Sequence, residues 1–554
     1  MQALFHDKYP LAFTSVVCVL GCLLPFDWVL LFFIFATTLI GSFFIPVVRR
    51  ELLLGCIIFS LSGAYYQQNR SAHEDQKQTL KNKSNLLCQV LNVENNLVEI
   101  ELVGWADKHQ NWRSNSSTFR INFKLESQHI PEIGNYLFIP EARILASNLS
   151  VNQMDFDLHS YLMGNNSLGY LQADEYQIIK TESSFRFFLL KLSKRRRKKW
   201  LTNAAKWFDP KLLELYDAAF LGNKKATNPA VKETFSKLGL MHVLSVSGMH
   251  VGLVYVFVFT PFRWFGKHYQ PLLNLEILIL PVVWIYALAS GFAEPVFRAS
   301  MLISLLVISR VLLRRKLRIE DAFFSVLLLS LIQNPLRIHS VSFQLSNAAM
   351  LGILFIYPIW KQKVVTSYAL INRGLDIIGI SISCSVSTLP LVLYYFHQFP
   401  MWFLLGNLFF TLPFTLLMFG FTVFSLMILF KIEMGIGILT EGMETIWDGS
   451  LVILERLAQL PNTYLYAYGF NVQYLCALAC LFWLAWFIHS RFPLIKSSFL
   501  LGSAVVLLLF LVSVDSPQTC KMRQRFPRKK QEMNRIYRYA QSRNADTLIL
   551  MMDR

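Results

Sequence analysis

The chain has 554 residues, of which 54% are hydrophobic, 14% aromatic and only 16% charged. This composition excludes an ordinary soluble protein and leaves room for about ten membrane crossings together with one small soluble domain. The formal net charge of +18 is compatible with a nucleic-acid or anionic-lipid partner. Polytopic membrane proteins also collect Lys and Arg in cytoplasmic loops, so the distribution of charge matters more than its total.

Cysteine and histidine spacing points to neither a disulfide framework nor a metal site. Most of the 8 cysteines lie in apolar segments, and Cys88 stands alone in the polar part of the chain. We therefore expect no cofactor. The first residues lack the basic flank and cleavage site of a secretory signal, so the first apolar run is expected to be retained.

Three apolar runs open the chain, at residues 11–24, 28–48 and 52–66, and predict N-terminal transmembrane helices within 1–66. Arg49 and Arg50 lie between the second and third runs. The positive-inside rule places that turn, and with it the N-terminus, in the cytoplasm. The segment after residue 66 is then expected on the periplasmic or extracellular face.

Residues 67–182 are polar, with short stretches in which apolar and polar residues alternate. This pattern predicts a small antiparallel β-barrel such as an OB-fold, inserted between membrane segments. Acidic residues outnumber basic residues there, so the electrostatic footprint of a nucleic-acid site is missing. Both a structural or regulatory role and direct DNA contact remain open for this domain.

A basic helix is predicted over residues 183–210. Its centre is an unbroken run of cations: Lys194, Arg195, Arg196, Arg197, Lys198 and Lys199. One interpretation is an interfacial amphipathic helix anchored on anionic headgroups. The other is a binding surface for nucleic acid, because positive charge is unexpected on the outer side of the membrane.

Residues 211–515 are predicted to form the main transmembrane domain, the competence-type channel domain. Apolar segments are predicted at 240–259, 277–288, 296–313, 322–332, 341–358, 377–395, 474–488 and 499–514, with basic loops on alternate sides. Residues 402–430 are too long for one simple span and are expected to hold either one tilted helix or a re-entrant pair. The acidic stretch 433–459 should lie at an interface or line a polar cavity. The whole chain is predicted to be a polytopic α-helical membrane protein with about eleven crossings.

The segment 238–259 is apolar yet carries two Ser/His pairs at i, i+3: His242 with Ser245, and Ser247 with His250. On a helix this spacing brings each pair onto one face, and Gly248 would allow close approach of another helix. The pairs could form a polar packing seam, line a translocation path, or supply a nucleophile and its base.

Two further polar groups are predicted at membrane depth. Glu294 and Arg298 are four residues apart at a helix start and should pair with each other. Gln344 and Ser346, followed by Asn347, place hydrogen-bonding side chains on another apolar helix. We assign His242, Ser245, Ser247, Gly248, His250, Glu294, Arg298, Gln344 and Ser346 to a candidate translocation path.

Four stretches of the chain resemble the ComEC family of competence proteins: NQMDFDLHSYL, AAFLGNKKATNPAVKETFSKLGLMHVLSVSGMHVGLV, FAEPVFRASMLISLLVISR and NPLRIHSVSFQLSNAAMLGIL. The resemblance implies a channel for single-stranded DNA in the bacterial inner membrane, used in natural transformation. It also implies an OB-fold on the outer face. Single-stranded DNA and membrane lipids are the expected partners, with a periplasmic DNA receptor, a separate nuclease and a cytoplasmic DNA motor as further candidates.

The chain departs from the family pattern in two places. Many relatives end in a metallo-β-lactamase-like domain with an HxHxDH motif, which none of the 11 histidines here forms. We therefore expect a form without that domain and without enzyme activity, in which the basic tail 516–554 is solvated or a remnant. Asn347 stands where relatives usually have an aromatic residue.

Two other functions stay open. A diverged channel could move another polyanion, or no DNA, and the acidic β-domain favours that alternative. An intramembrane serine hydrolase is the second, although no oxyanion-hole element is visible.

Overall fold

The structure is a computed structural model. It describes residues 84–94, 97–106, 112–114, 120–124, 131–145, 167–172, 175–179, 185–223, 227–266, 275–314, 317–364 and 366–466, together with 64–65, 67–71 and 73. The predicted spans at 11–24, 28–48, 474–488 and 499–514, and the tail at 516–554, lie outside the described residues.

Seven β-strands precede the helices: β1 (Ser84–Glu94), β2 (Leu97–Ala106), β3 (Trp112–Ser114), β4 (Arg120–Lys124), β5 (Tyr136–Leu145), β6 (Ser167–Gln172) and β7 (Gln177–Ile179). Five of them close a ring in the order β1-β2-β4-β6-β5, because β5 also pairs with β1. Every pair in the ring is antiparallel except β4 with β6, which is parallel. The predicted barrel was expected to be antiparallel throughout, and this one pair differs.

The interior of the ring is apolar, with Leu86, Val90, Ile100 and Leu137 fully buried. These residues come from the alternating stretches of the sequence, as expected for strands with one buried face. Cys88 is also buried there as a free thiol, and burial raises the pKa of that thiol.

Twelve α-helices follow in the described part of the chain: α1 (Phe185–Ala204), α2 (Pro210–Leu215), α3 (Pro229–Lys237), α4 (Gly248–Gly266), α5 (Leu280–Ala289), α6 (Glu294–Val311), α7 (Ile319–Gln333), α8 (Val341–Leu351), α9 (Tyr357–Lys363), α10 (Ala369–Phe396), α11 (Phe403–Phe430) and α12 (Ile436–Ala458). Pro at the first helical position and an Asn or Asp cap start two of them. The Asp209 side chain accepts from Leu212 N before α2, and the Asn228 side chain accepts from Ala230 N before α3.

Three helical stretches among the described residues are long and apolar enough to cross a membrane: Val341–Lys363, Ile371–Phe396 and Phe403–Phe430. Two shorter apolar helices, Gly248–Thr260 and Glu276–Ala289, accompany them. The chain is therefore a mostly helical membrane protein with a small sheet region.

Two compact units divide the chain, Met1–Thr388 with Pro400–Thr463 and Leu389–Phe399 with Tyr464–Arg554. In the first unit, α11 is one continuous helix of 28 residues that contains Pro413. It runs antiparallel to α12, since Gly420 lies against Met443 and Trp402 Nε1 donates to the Pro461 carbonyl at 3.0 Å. In the second unit, the described residues include the end of α10 and part of a small sheet of β8 (Gln398–Pro400) and β9 (Tyr464–Tyr466).

An aromatic core joins the residues around α2 to α11. Tyr216 and Phe220 stack with ring centroids 5.2 Å apart, and Phe208 lies 4.4 Å from Phe424 by the same measure. The Tyr216 hydroxyl forms a hydrogen bond of 3.0 Å with Ser425 Oγ. The polar group of this buried tyrosine is thereby satisfied inside the core.

The prediction of one continuous helix from residue 240 to 259 is wrong at its start, because α4 begins at Gly248 and the residues before it form turns. Gly239 lies just beyond the end of α3, and its φ is +68°. Leu240 N donates to the Phe235 carbonyl and Gly239 N to the Ser236 carbonyl, which is the Schellman arrangement. Apolar residues lie on both sides of this break, so the composition of the segment did not indicate it.

Candidate nucleic-acid interface and polar path

Helix α1 separates its cations onto two faces. With about 3.6 residues per turn, Ser193, Arg197 and Ala204 share the inward face, and Ser193 and Ala204 are buried. Arg197 Nη2 donates to Asp217 Oδ1 at 3.1 Å, and Lys194 Nζ donates to the Val93 carbonyl at 2.7 Å. These two cations of the predicted run therefore fix the helix to the rest of the protein.

The other four cations of the run, which we call the outward basic ridge, point away: Arg195, Arg196, Lys198 and Lys199. All four are exposed. Within the described part of the chain they form no ion pair and no side-chain hydrogen bond. The ridge is thus a concentration of uncompensated positive charge, suited to a polyanion or an anionic surface.

Ser247 and His250 meet at the start of α4, but through capping rather than along a helix face. Ser247 Oγ lies 2.9 Å from His250 Nδ1, and Ser247 N donates to the same nitrogen at 3.1 Å. This is one half of a capping box, in which the side chain at the third helical position accepts from the backbone N–H of the residue before the helix, here with an imidazole in place of the usual carboxylate. His250 N itself donates to the Ser247 backbone carbonyl at 3.2 Å. Because Nδ1 accepts from the backbone, the ring is held neutral with its hydrogen on Nε2.

The surroundings of His250 disfavour a hydrolase. The ring is fully buried and lies 5.2 Å from the Phe414 ring, centroid to centroid. Nδ1 is shared between the Ser247 hydroxyl and backbone, and the buried ring also interacts with the Val243 backbone. Both the burial and the contacts of His250 therefore serve the local fold, whereas a general base must reach a substrate.

His242 and Ser245 do not pair through their side chains, which corrects the prediction. His242 Nδ1 lies 3.0 Å from the Gly239 carbonyl, and Ser245 Oγ donates to the His242 carbonyl at 3.3 Å. Both residues belong to the turns before α4, where the i, i+3 rule of a helix does not apply. Gly248 lies close to α6, and a Cβ added there would be 3.3 Å from Ala299 Cβ.

The predicted pair of Glu294 and Arg298 is also wrong. Glu294 Oε1 lies 3.6 Å from Arg337 Nε, because the short helix Pro335–His339 brings Arg337 to the start of α6. Arg298 is only 8% exposed, and its guanidinium carbon lies 5.0 Å from the centre of the Phe343 ring. It has no hydrogen bond or ion pair in the described part of the chain, and its Nη2 is completely buried.

The opposite end of α6 carries a satisfied cluster. Arg310 Nη1 donates to both carboxylate oxygens of Glu276, at 2.9 and 3.0 Å. The Tyr255 hydroxyl also donates to Glu276, which is 1% exposed. This network joins α4, α6 and the turn before α5.

Two polar side chains of helix α8 donate hydrogen bonds to backbone carbonyls close to them in sequence. Gln344 Nε2 donates to the Ile338 carbonyl at 2.7 Å, and Asn347 Nδ2 donates to the Phe343 carbonyl at 2.8 Å. Ser346 is half-buried on the same helix. The structure therefore gives Gln344 and Asn347 intramolecular contacts that the spacing alone did not reveal.

Several long-range contacts of charged residues escaped the sequence prediction. Arg337, Asp217, Glu276 and Arg310 each contact a residue far away in sequence, and no local motif marks them. Arg337 and Arg310 do lie inside the family-like stretches NPLRIHSVSFQLSNAAMLGIL and FAEPVFRASMLISLLVISR, but neither stretch identifies the partner of its arginine. No group of three or more His, Cys, Asp or Glu side chains that could hold a metal ion occurs among residues the structure describes.

The chain is similar to known proteins over part of its length. The Competence protein family model matches residues 220–493. ComE operon protein 3 of Bacillus subtilis (strain 168) is 25% identical over 244 residues, which cover 44% of this chain and 30% of that protein. An uncharacterized protein of Aquifex aeolicus (strain VF5) is 33% identical over 215 residues, which cover 38% of this chain and 48% of that protein.

The aligned part of the chain thus spans less than half the length of either curated relative. No solved structure matches the chain. The family match begins within the aromatic core at Phe220 and contains both ends of α6. The family match and the similarity to ComE operon protein 3 together show that the chain belongs to the ComEC family of competence proteins.

Proposed function

We propose that the chain forms a path for single-stranded DNA across the bacterial inner membrane during natural transformation. The outward basic ridge is the observation that carries this proposal. Its four cations have no partner in the described structure, and Arg197 fixes their helix to Asp217, beside the family match. Lys and Arg that neutralise phosphates supply most of the sequence-independent affinity for nucleic acid.

The polar residues of the bundle support a path beyond the ridge. His250 and Arg298 both bury polar nitrogens at the starts of helices. Such groups are costly at membrane depth, and those that are retained there commonly mark transport pathways. The nine predicted path residues remain candidates for this lining. About eleven crossings, with a cytoplasmic N-terminus, would surround it.

The ring of β-strands is proposed to be an OB-fold on the outer face. A closed five-strand ring with a single parallel pair supports this assignment. A periplasmic DNA receptor, a separate nuclease and a cytoplasmic DNA motor are proposed as partners, since the proposed role of this chain is transport rather than catalysis. Membrane lipids would surround the helices, and their anionic headgroups would also bind the outward basic ridge.

Binding to a labelled single-stranded oligonucleotide tests the ridge. The variant with Arg195, Arg196, Lys198 and Lys199 all changed to Gln should bind more weakly, because fewer phosphates are neutralised. Its salt dependence should flatten by about 0.7 in log–log slope for each phosphate that the variant no longer neutralises. A matched control exchanges Arg for Lys and Lys for Arg at the same positions. Because charge is kept, the control should retain nearly all affinity.

Gene deletion in a competent host tests the function itself. Uptake of labelled DNA and the number of transformants should both fall to background. Unchanged transformation would contradict the proposal. Salt-dependent oligonucleotide binding without any uptake defect would instead favour transport of another polyanion.

A further inference from the structure

Arg298 poses an electrostatic problem that the described structure leaves open. A guanidinium carries five N–H donors and cannot lose its charge in a protein. Here it is only 8% exposed, lies over the Phe343 ring and donates no hydrogen bond to any described residue. A buried charge that has no hydrogen-bonded partner is costly to keep in a protein interior, so an anion at this place would stabilise the protein.

The neighbouring groups also favour an anion. Arg337 is close enough to act electrostatically on Arg298, so two cations lie near this end of α6. Arg337 Nη1 also donates to Gln333 Oε1 at 3.2 Å. Glu294 contacts Arg337 at 3.6 Å and also acts on Arg298, so two cations share this carboxylate. Glu294 and Arg298 lie at the beginning of α6, an 18-residue helix whose N-terminus adds a partial positive charge of about half an elementary charge.

We infer that Arg298, Arg337 and the first turn of α6 form a subsite for one phosphate oxyanion of the transported strand, with Glu294 as its exchangeable counter-ion. The inference rests on the proposed function for the identity of the strand. Two guanidinium forks match the oxygens of a phosphate, which Arg binds in bidentate geometry. Phe343 fixes one face of Arg298, and this limits its fork to a small range of directions.

Glu294 explains how such a site could release its ligand. Its side chain is 38% exposed and that of Arg337 is 29% exposed, so the cluster opens toward the surface through this ion pair. A phosphate that enters displaces the carboxylate from Arg337, and the carboxylate returns when the phosphate leaves. Without this competitor a fixed pair of arginines would hold the strand too tightly for passage.

Oligonucleotide affinity in a maltoside detergent, which contains no phosphate, tests the subsite in the full chain. R298Q should weaken binding about tenfold to a hundredfold, the loss expected for hydrogen bonds to a charged group. R298K should fall in between, because it keeps the charge but loses the fork. E294Q should tighten binding, whereas a purely structural Glu294–Arg337 pair predicts no gain.

The matched control is the double variant E276Q/R310Q, which removes one arginine and one carboxylate from the other end of α6. Its affinity should equal that of the unmodified chain. Unchanged affinity in R298Q, or weaker binding in E294Q, would overturn the subsite. If R298Q does not fold, the change in oligonucleotide affinity of E294Q still tests the subsite, because the subsite predicts tighter binding.

Inorganic phosphate separates this inference from the proposed function. It should raise the melting temperature of the unmodified chain but not that of R298Q, even if no oligonucleotide binds. Protection by phosphatidylglycerol alone, with no effect of inorganic phosphate or oligonucleotide, would overturn the assignment to a strand and identify a lipid headgroup. An oligonucleotide with an uncharged methylphosphonate backbone should not distinguish R298Q from the unmodified chain.

Discussion

Helix α6 carries an arginine near each end, and the two arginines differ in almost every respect. Arg310 has its side chain 52% exposed and meets both oxygens of the buried Glu276. Arg298 is buried and lies over the Phe343 ring, with no hydrogen bond or ion pair among the described residues. The paired arginine is explained by the internal carboxylate it neutralises, whereas the unpaired one has a cost that the described fold does not offset. A charge on this helix can therefore serve either the structure or a ligand, and its partner decides which.

Removing the paired arginine should have the largest effect on stability. R310A leaves Glu276 without its cation and should lower the free energy of unfolding by about 3 kcal/mol. The loss should not be larger, because about half of the Arg310 side chain is exposed to solvent, which weakens the ion pair. The free energy of unfolding, measured in detergent with a denaturant series, checks this. The double variant E276Q/R310Q should recover a large part of the loss. A decrease below about 0.5 kcal/mol in R310A would mean that the pair contributes little.

The basic helix allows the same comparison between adjacent residues. R197Q removes a donor from Asp217, whose side chain is 9% exposed, and should cost about 1–2 kcal/mol. R196Q changes an exposed cation of the outward basic ridge and should leave the melting temperature unchanged while weakening oligonucleotide binding. Equal melting temperatures for both variants would contradict the division of α1 into two faces.

Loss of the helix cap should have a smaller effect. S247A removes the hydroxyl that lies 2.9 Å from His250 Nδ1 at the start of α4 and should cost about 1 kcal/mol, the loss expected for one buried hydrogen bond. S245A removes a hydroxyl that donates to the His242 carbonyl at 3.3 Å, so it serves as the matched control with little change. Thermal unfolding of both variants decides. If S247A and S245A behave alike, the capping assignment fails.

Sequence patterns predicted the elements better than their contacts. The ring of strands, the basic helix and most apolar helices were foreseen, since alternation and apolar run length depend only on local sequence. The break at Gly239 was missed because apolar residues continue on both sides of it. Partners of charged residues were missed for a different reason. Whether Glu294 pairs with Arg298 or with Arg337 depends on where a distant turn lies, and four-residue spacing cannot show that.

The candidate site was predicted in part. All six cations of the run were identified, but their sequence did not reveal that Lys194 and Arg197 serve the structure while the other four remain exposed. Ser247 and His250 were correctly matched as a pair of side chains, yet the prediction placed them on a helix face. Their meeting depends on a cap, which forms only because α4 begins at Gly248.

One paired measurement tests the central claim most directly: the unfolding free energy and the DNA uptake of R298M and R310A, determined side by side in the same host and detergent. R298M replaces an unpaired buried charge with an apolar side chain of similar length, so its stability should be unchanged or higher. Its uptake should nevertheless fall at least tenfold. R310A should lose stability. An R298M variant that is as unstable as R310A, or one that is stable with normal uptake, would contradict the account.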